Sequence, residues 1–378
     1  MQISQIKNAL CQSAEKHKNI FLHIAQELHT HPELSGAEYK SSAFLKDILA
    51  TQGFTILLDS PKEFSTSFHA SKGEGPVQIG FLAEYDALPD LGHACGHNLI
   101  AAISTLAAIV TSEVLADKAT IHLFGCPAEE TLGSKITMAE QGLFDKLDAA
   151  LICHPSNATT LGGTSYASHP LRITFLGQSA HVADTEYHGI NALDALVDFY
   201  TQLLEKEKTF RQPYILGKII TEGGTAPNIV PDRATLKATI RSLNVHYLEE
   251  VMLPEIKALA QNISQAHGTD LELEHFEPLF MNMLNDKALQ SYMQANLELV
   301  GIHIDAVYAD DYADGSTDVG NVSHRAPTIE PEVKIGDSIY VHTQEFAQAA
   351  GSKAGTEQAF LAAKALAMTA ADVINNKI

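Results

Sequence analysis

The sequence predicts an α/β protein of two domains, in which a larger domain with a mixed, mostly parallel sheet is interrupted by a smaller ferredoxin-like α+β domain. Its 378 residues, 45% of them apolar, are more than one ordinary core holds. In the first part of the chain, short apolar strands alternate with helices, which is typical of a layered α/β domain. From about Ser168 the order becomes strand, helix, strand, strand, helix, strand, which is a ferredoxin-like unit.

The elements of the larger domain are predicted from the spacing of apolar residues. Ile20, Ile24 and Leu28 fall on one helical face, and the pattern stops at His31-Pro32. The other predicted helices are 37–52, 100–116, 134–141, 284–300 and 355–375. The predicted strands are 54–58, 77–83, 119–125, 149–153 and 328–334.

The inserted domain is predicted at 168–280, which leaves 1–167 and 281–378 as the two parts of the larger domain. Its predicted strands are 171–177, 214–222, 234–243 and 270–275, and its predicted helices are 191–206 and 248–267. Since a ferredoxin-like unit packs its two helices on one sheet, this domain is expected to have its own core.

Charge and hydropathy limit the partners. Lysine and arginine number 25 against 46 aspartates and glutamates, and the net charge of -21 repels nucleic acid and anionic membranes. The most apolar stretch, 99–110, is shorter than the ~20 residues that a bilayer requires and is predicted as a buried helix. Residues 1–20 lack the basic start and apolar core of a signal peptide. A cytoplasmic protein with neither nucleic-acid nor membrane partners is therefore expected.

Side chains that bind metals follow several of the predicted strands. Cys95-Gly96-His97 stands just before a predicted buried helix, and its glycine permits a tight loop that turns a thiolate and an imidazole toward one cation. Glu129 and Glu130 follow one apolar strand, and His154 ends the next. Alone, each is more often a packed, capping or solvated residue. Because sites collect at the carboxyl ends of parallel strands, we expect them to face one crevice.

Together with His342, which follows the strand at 328–334, these residues supply donors for one or two divalent ions. Two ions ~3.5 to 4 Å apart that share a water would make hydroxide near neutral pH. One of the paired glutamates would bind metal while its neighbour takes a proton from water. Zinc, manganese, nickel and cobalt all suit such donors. The four cysteines of this long chain favour free thiols or metal ligands over disulfides.

Short motifs run in order along nearly the whole chain. They are EYDALP at 84–89, GHACGHN at 92–98, PAEE at 127–130, His154-Pro155, GQSAH at 177–181 and PNIVP at 227–231. The set resembles the M20 metallopeptidases, and within them the amidohydrolase branch of aminobenzoyl-glutamate hydrolases, N-acyl amino acid hydrolases and related dipeptidases. The resemblance implies metal-dependent hydrolysis of the amide bond in a small peptide or an N-acyl amino acid.

The resemblance also implies roles for individual residues. It places the thiolate of Cys95 near or between two ions. The other metal ligands that it implies are His97, Glu130, His154 and His342. Glu129 would be the general base and later protonate the leaving amine, and Asp86 would be a carboxylate that fixes a ligand.

The inserted domain would act as a lid and pair two subunits. The resemblance implies a homodimer, with a tetramer as the alternative. In the lid, His181 and Asn228 would hold the scissile carbonyl or its oxyanion, and Arg241 would bind a substrate carboxylate. The lid histidine can serve the active site of the partner subunit in this family.

Two positions depart from the common pattern of the branch. Asn98 stands where aspartate is commoner, a substitution associated with the dipeptidases and aminobenzoyl-glutamate enzymes. The metal ligands stay intact, but the acyl group is left open. Val341 stands before His342, where glycine is common.

Two other interpretations remain open. The first keeps the fold and the metal but makes the protein a non-catalytic binding or regulatory module, against which the presence of Glu129 argues. The second makes Cys95 or Cys153, with a neighbouring histidine, a thiol nucleophile. A chelator would inhibit a metal enzyme and leave a thiol enzyme active.

Overall fold

A computed structural model describes residues 2–57, 64–211, 213–309, 311–313 and 315–377. The chain forms two compact units. The first comprises Met1–Thr164, Met283–Tyr312 and Thr317–Ile378, and the second comprises Ser165–Asn282 and Ala313–Ser316. Each unit has its own buried apolar core. The predicted fold class, a mixed-sheet α/β domain interrupted by a ferredoxin-like one, is confirmed.

The second unit extends slightly beyond the predicted range of 168–280. Ser168 exchanges backbone hydrogen bonds with Phe280, and the N–H of Tyr166 donates to the carbonyl of Gly315 at 2.8 Å. These bonds attach residues 165–167 and 281–282, and the distant segment Ala313–Ser316, to the second unit. Such a contact between distant segments has no local signal in the sequence.

The first unit contains most of the helices. Its helices are α1 (Ile3–Lys16), α2 (Lys18–Thr30), α3 (Tyr39–Thr51), α4 (His97–Leu115), α5 (Ser134–Glu140), α9 (Lys287–Leu299), α10 (Val319–Ser323), α11 (Gln344–Ala350) and α12 (Lys353–Lys377). Its strands are β1 (Thr55–Leu57), β2 (Phe68–Lys72), β3 (Val77–Glu84), β4 (Ala119–Cys126), β5 (Ala149–Leu151), β6 (His154–Ser156), β11 (Thr328–Ile329) and β12 (Glu332–Lys334).

The main sheet of this unit has the strand order β1-β2-β4-β3-β5-β11 within the described residues. Strands β4, β3, β5 and β11 are parallel, whereas β1 and β2 are antiparallel additions. The parallel strands β3 and β4 end at Glu84 and Cys126. The segments that follow these two strands carry Asp86, Glu129 and Glu130, so the topology brings these three predicted site residues to one edge of the sheet.

Helix α4 is the core helix of the first unit. Among the described residues it alone is long and apolar enough to cross a membrane, but 89% of its most apolar window is buried inside the protein. All residues of the predicted stretch 99–110 are buried. Its apolar character is therefore that of a helix packed on all sides, as the sequence predicted.

The predicted strand 328–334 is wrong as a single element. It is divided into β11, which pairs with β5, and β12, which pairs with β6 in a separate two-stranded sheet. Pro331 lies between them and has no N–H to donate to a ladder. The strand predicted at 54–58 corresponds to β1, which covers only Thr55–Leu57 in the structure. Leu58 lies outside the described residues.

The second unit has the predicted ferredoxin-like order. Its elements are β7 (Ala167–Leu176), α6 (Ala192–Glu207), β8 (Tyr214–Glu222), β9 (Arg233–Ser242), α7 (Val245–Tyr247), a π-helical turn (Leu248–Met252), α8 (Leu253–His267) and β10 (Asp270–His275). The antiparallel sheet has the order β10-β7-β9-β8 in the described part of the unit. Strand β8 is therefore an edge strand.

Candidate metal centre

Cys95 lies in the turn that leads into α4, whose first residue is His97. Between them, Gly96 has a φ of 80°, in the left-handed region that favours glycine. A Cβ at this position would lie 2.3 Å from Cγ of Pro155 in β6. The turn therefore requires glycine both for its backbone conformation and for the close approach of β6.

The ring of His97 is oriented by Asp86. Its Nδ1 lies 3.0 Å from Oδ1 of Asp86 and 3.0 Å from the backbone carbonyl oxygen of the same residue. Both oxygens only accept, so Nδ1 carries the proton and donates it. Nε2 of His97 is then left with its lone pair available for a cation.

The second oxygen of Asp86 contacts the opposite side of the centre. Oδ2 accepts from the hydroxyl of Ser35 at 2.6 Å and from the backbone N–H of Glu130 at 3.1 Å. Asp86 thus connects the imidazole of His97 with the backbone that carries the glutamate pair. The role predicted for Asp86, a carboxylate that fixes a ligand, is the role that this geometry supports.

Glu129 and Glu130 follow a sharp turn after β4. Ala128 has a positive φ of 58°, and its N–H donates to Oε1 of the buried Glu38 at 3.0 Å. The carbonyl of Ala128 accepts from the N–H of Gly133 at 2.8 Å. These bonds hold a backbone conformation that is unfavourable for alanine and turn both carboxylates toward His97. Nε2 of His97 is 3.9 Å from Oε2 of Glu129 and 3.9 Å from Oε1 of Glu130.

His154 and His342 also direct their Nε2 atoms toward donor atoms of this cluster. Nδ1 of His154 donates to the carbonyl of Pro155, which leaves Nε2 facing Sγ of Cys95 at 3.5 Å. His342 has a positive φ of 65°, and its N–H donates to the carbonyl of Ala94 at 2.8 Å. Its Nε2 lies 3.3 Å from Oε2 of Glu130.

The structure brings the donors together in trios whose atoms lie within 4.8 Å of one another. The trios are Cys95, His97 and His154; Cys95, Glu130 and His342; and His97, Glu129 and Glu130. The first two share only Sγ of Cys95. The separations of 3.3 and 3.5 Å within these trios are close to the about 3.4 Å expected between two ligands of a tetrahedral ion with bonds of about 2.1 Å.

Two buried donor atoms also lack other partners. Nε2 of His97 and Oε1 of Glu130 have no hydrogen-bond partner within the described structure. A buried polar atom without a partner is costly, and a cation would satisfy both atoms. The donor set therefore fits divalent metal ions.

Burial and neighbouring charges shift the pKa values in this centre. Burial alone would raise the pKa of Asp86, but His97 and the hydrogen bonds from Ser35 and Glu130 hold it well below its usual range. Burial, together with the carboxylates of Glu84 and Asp318, raises the pKa of Glu129 well above its usual range. Glu129 is thus a stronger proton acceptor than an exposed glutamate.

The cysteines are free thiols. Burial raises the pKa of Cys153, and the nearby carboxylates of Glu332 and Glu330 raise it further. Such a thiol stays protonated and is a poor nucleophile, which argues against the interpretation of Cys153 as a thiol catalyst. Burial also raises the pKa of Cys95, although His97 opposes the shift.

Asn98 is fully buried and points at backbone carbonyls. Its Nδ2 donates to the carbonyl of Ala25 at 3.0 Å and to that of Ala350 at 3.2 Å. An aspartate at this position could not donate to either carbonyl. The asparagine therefore anchors the start of α4 to α2 and α11.

The predicted substrate-binding residues lie in the second unit. His181 and Asn228 are exposed, and the backbones beside them pair, since the N–H of Val182 donates to the carbonyl of Asn228 at 3.1 Å. Arg241 lies near the end of β9, opposite Ile215 of β8. The contacts of these residues with substrate stay predictions.

Three buried charged residues close to the donors were not predicted. They are Glu84, Lys135 and Asp318. Glu84 stands in the EYDALP motif, which was the available signal for it. Lys135 and Asp318 are 183 positions apart and pair only in the folded chain.

Comparison with known proteins identifies the family of this chain. Residues 167–267 match the family model described as the peptidase dimerisation domain of M20 proteins. Over 313 residues the chain is 36% identical to the Xaa-Arg dipeptidase of Mus musculus, which covers 81% of this chain and 72% of that protein. This chain belongs to the M20 family.

A second relative and a solved structure are also similar to this chain. The chain is 27% identical over 326 residues to one of the subunits of the p-aminobenzoyl-glutamate hydrolase of Escherichia coli (strain K12), covering 79% of this chain and 66% of that one. A dinuclear metal-binding M20 peptidase of Bacillus subtilis shares the fold, with a TM-score of 0.71 at 20% identity over 96% of this chain and 99% of that one. The predicted family is confirmed, and as an M20 protein the chain is a metal-dependent hydrolase of amide bonds.

Proposed function

We propose that this M20 protein hydrolyses the amide bond of a dipeptide or of an N-acyl amino acid with the aid of two divalent cations. The observation that carries the proposal is that two donor trios share Sγ of Cys95. The ligands would be Cys95, His97, Glu130, His154 and His342. Two donor trios that meet at one sulfur could hold two neighbouring ions, with the thiolate available to both.

The chemistry of the donors limits the choice of metal without selecting one. One thiolate, imidazoles and a carboxylate suit zinc best, and manganese, nickel or cobalt also fit. When bound, such ions polarise the scissile carbonyl and lower the pKa of water. The dinuclear M20 peptidase of Bacillus subtilis supports two ions, because it shares the fold of this chain.

Glu129 is proposed as the general base. Its carboxylate lies beside the donor Nε2 of His97, and burial with the neighbouring carboxylates raises its pKa, which makes it a stronger base than an exposed glutamate. The same carboxyl group then gives the proton to the leaving amine. Asp86 keeps His97 and the backbone of Glu130 in position while this happens.

The substrate class is proposed from the relatives and from charge. The relatives include an Xaa-Arg dipeptidase and a p-aminobenzoyl-glutamate hydrolase, and both names denote hydrolysis of an amide bond to an amino acid. The net charge of -21 would favour encounters with a cationic substrate such as a dipeptide that ends in arginine. His181 and Asn228 are proposed to hold the scissile carbonyl, and Arg241 the substrate carboxylate.

The first test is an assay of Xaa-Arg dipeptides, N-acyl amino acids and aminobenzoyl-glutamate, with zinc, manganese and cobalt added in turn. We expect turnover of at least one substrate, which a chelator abolishes and metal restores. Glu129→Gln should keep its metal content and lose about 10²- to 10⁴-fold in kcat, because it cannot accept the proton.

The matched control is Glu140→Gln, which removes an exposed carboxylate at the end of α5 and should keep wild-type turnover. Unchanged kcat in Glu129→Gln would refute the role of Glu129 as the base. Turnover that survives the chelator would refute the metal mechanism itself.

We also propose that the second unit pairs two copies of the chain. Strand β8 is an edge of its sheet and exposes Ile215, Ile219 and Ile220 to 45%, 63% and 45%. Unpaired strand edges with apolar side chains pair readily with another strand. The segment lies within residues 167–267, which match the peptidase dimerisation domain.

Light scattering tests this pairing. Ile219→Lys should convert a wild-type dimer into a monomer, because it puts a charge in the apolar interface. Leu299→Lys is the matched control, since Leu299 of α9 is 66% exposed and lies in the first unit. A wild-type chain that is monomeric at micromolar concentration would contradict the proposal.

A further inference from the structure

Three charged side chains form a buried network that the proposed reaction does not use. Nζ of Lys135 lies 2.7 Å from Oε1 of Glu84 and 2.5 Å from Oδ1 of Asp318. None of these three side chains is more than 1% exposed. A charge buried this deeply is costly unless it is paired, so the arrangement requires all three members.

Asp318 is held close to Lys135 by contacts with the backbone at the start of α5. The backbone N–H of Lys135 donates to Oδ2 of Asp318 at 3.0 Å. Gly133, which has a φ of 62°, precedes α5, and a Cβ there would lie 3.2 Å from Cβ of Asp318. The glycine therefore leaves room for Asp318, which fixes both the backbone and the ammonium group of Lys135.

The ammonium group of Lys135 is charged. Burial alone would lower its pKa, but the carboxylates of Asp318 and Glu84 raise it well above its usual range. With two carboxylates against one lysine, the network keeps an excess of negative charge beside the donor cluster. That excess favours a nearby cation.

Glu84 connects the network to the donor cluster. It is the last residue of β3, and its Oε2 lies 3.5 Å from Nε2 of His97. This separation equals that between Sγ of Cys95 and Nε2 of His154, two donors of one trio. Because Lys135 engages Oε1 of Glu84, the other oxygen of this carboxylate is the one that faces His97.

We propose that Lys135, held by Asp318, is a positioning residue that turns Oε2 of Glu84 toward the cation at His97 and so strengthens the binding of that cation. The inference rests on the proposed metal centre. It adds Glu84 to the groups that face the cation, and it explains why a lysine is buried at the start of α5.

The test measures zinc affinity by competition with a chromogenic chelator, together with the thermal midpoint with and without zinc. The variants are Lys135→Met, Glu84→Gln and the double variant. Lys7→Met is the matched control, because Lys7 forms a largely buried ion pair with Asp372 between α1 and α12, at 2.8 Å. Only zinc is added, so the result does not depend on a substrate.

Each single variant at Lys135 or Glu84 should weaken zinc binding by about 10- to 100-fold, the usual effect of removing a partner of a ligand. The double variant should lose no more than Glu84→Gln alone, because Lys135 acts through Glu84. Lys7→Met should lower the thermal midpoint but keep wild-type zinc affinity.

Wild-type zinc affinity in Lys135→Met, with only a lower thermal midpoint, would show a merely structural role and overturn the inference. Additive losses in the double variant would overturn it as well. If Lys135→Met does not fold, Glu84→Gln decides, and unchanged zinc affinity there is the negative result. A wild-type chain that binds no zinc, manganese or cobalt would instead refute the proposed function.

Discussion

Asp86 links the two sides of the metal centre through its two carboxylate oxygens. One oxygen accepts from the ring of His97, and the other accepts from Ser35 and from the backbone of Glu130. A single buried side chain therefore fixes the direction of one ligand and the backbone position of another.

Gly96 is a second residue on which the centre depends. Its substitution by alanine tests how much the turn contributes to stability. Gly36 provides a control with the same φ of 80° but no atom within 4 Å of an added Cβ. Gly36→Ala should cost about 1–2 kcal/mol for the left-handed backbone alone. Gly96→Ala should cost about 1–3 kcal/mol more, because its Cβ would collide with Pro155.

Urea unfolding of the metal-free protein, followed by circular dichroism, measures both costs. Equal losses of free energy of unfolding in the two variants would show that the close approach to Pro155 has no energetic consequence. The position of the candidate centre could be predicted because Glu130 follows β4, His154 follows β5 and His97 begins α4. The contacts of Ser35 could not, since nothing in its local sequence indicates a tertiary hydrogen bond to Asp86.

At the scale of elements, strands β2, β3 and β4 carry a chain of hydrogen-bonded polar side chains. Nε2 of His69 lies 2.8 Å from Nδ1 of His122, whose Nε2 lies 2.8 Å from Oε1 of Gln78. The amide oxygen only accepts, so His122 donates to it, and its Nδ1 accepts from His69. This chain of bonds requires a neutral ring at His122, because its Nδ1 accepts while its Nε2 donates.

This pair predicts a pH dependence of stability. Burial lowers the pKa of His69 to about 4, and burial together with His69 lowers that of His122 to about 4, from an ordinary value of 6.5. Between pH 4 and pH 6.5, the folded state therefore binds fewer protons than the unfolded state. The stabilisation is complete above pH 6.5 and is lost as the pH falls from 6.5 through 4.

His122→Gln should flatten the fall of the thermal midpoint over this range in the metal-free protein. His303→Gln is the control, because His303 is exposed. An identical pH slope in wild type and His122→Gln would contradict the assignment of two neutral, buried imidazoles.

The two central strands of the first unit, β3 and β4, could be predicted because their burial is nearly uniform. Strands β3 and β4 are buried along most of their length and read as continuous apolar runs. Strand β2, Phe68–Lys72, was not predicted, because its sequence alternates apolar residues with histidine, serine and lysine. Its pairing with β4 supplies the burial that its composition does not indicate.

At the scale of the whole molecule, the fold separates metal-binding residues from those proposed for substrate and dimerisation. The five predicted ligands and Glu129 belong to the first unit, whereas His181, Asn228 and Arg241 belong to the second. The sequence could predict this division because the order of elements changes at the insertion. It could not predict the network of Glu84, Lys135 and Asp318, which depends on contacts across the first unit.

The acidic character of the chain has a local counterpart in the centre. Glu84, Glu129, Glu130 and Asp318 lie in or beside the donor cluster, and Lys135 pairs with two of them, Glu84 and Asp318. Divalent ions would offset this negative charge and satisfy the unpaired donors of His97 and Glu130. Binding of such ions to the folded chain alone would raise its stability.

The most direct test of the central claim, two cations that share the thiolate of Cys95, is a count of bound metal by mass spectrometry. Wild-type protein loaded with zinc and freed of excess should hold two ions per chain, and Cys95→Ala should hold fewer and lose turnover. Glu140→Gln should keep the wild-type count. A Cys95→Ala variant that retained both ions with wild-type affinity would contradict the claim.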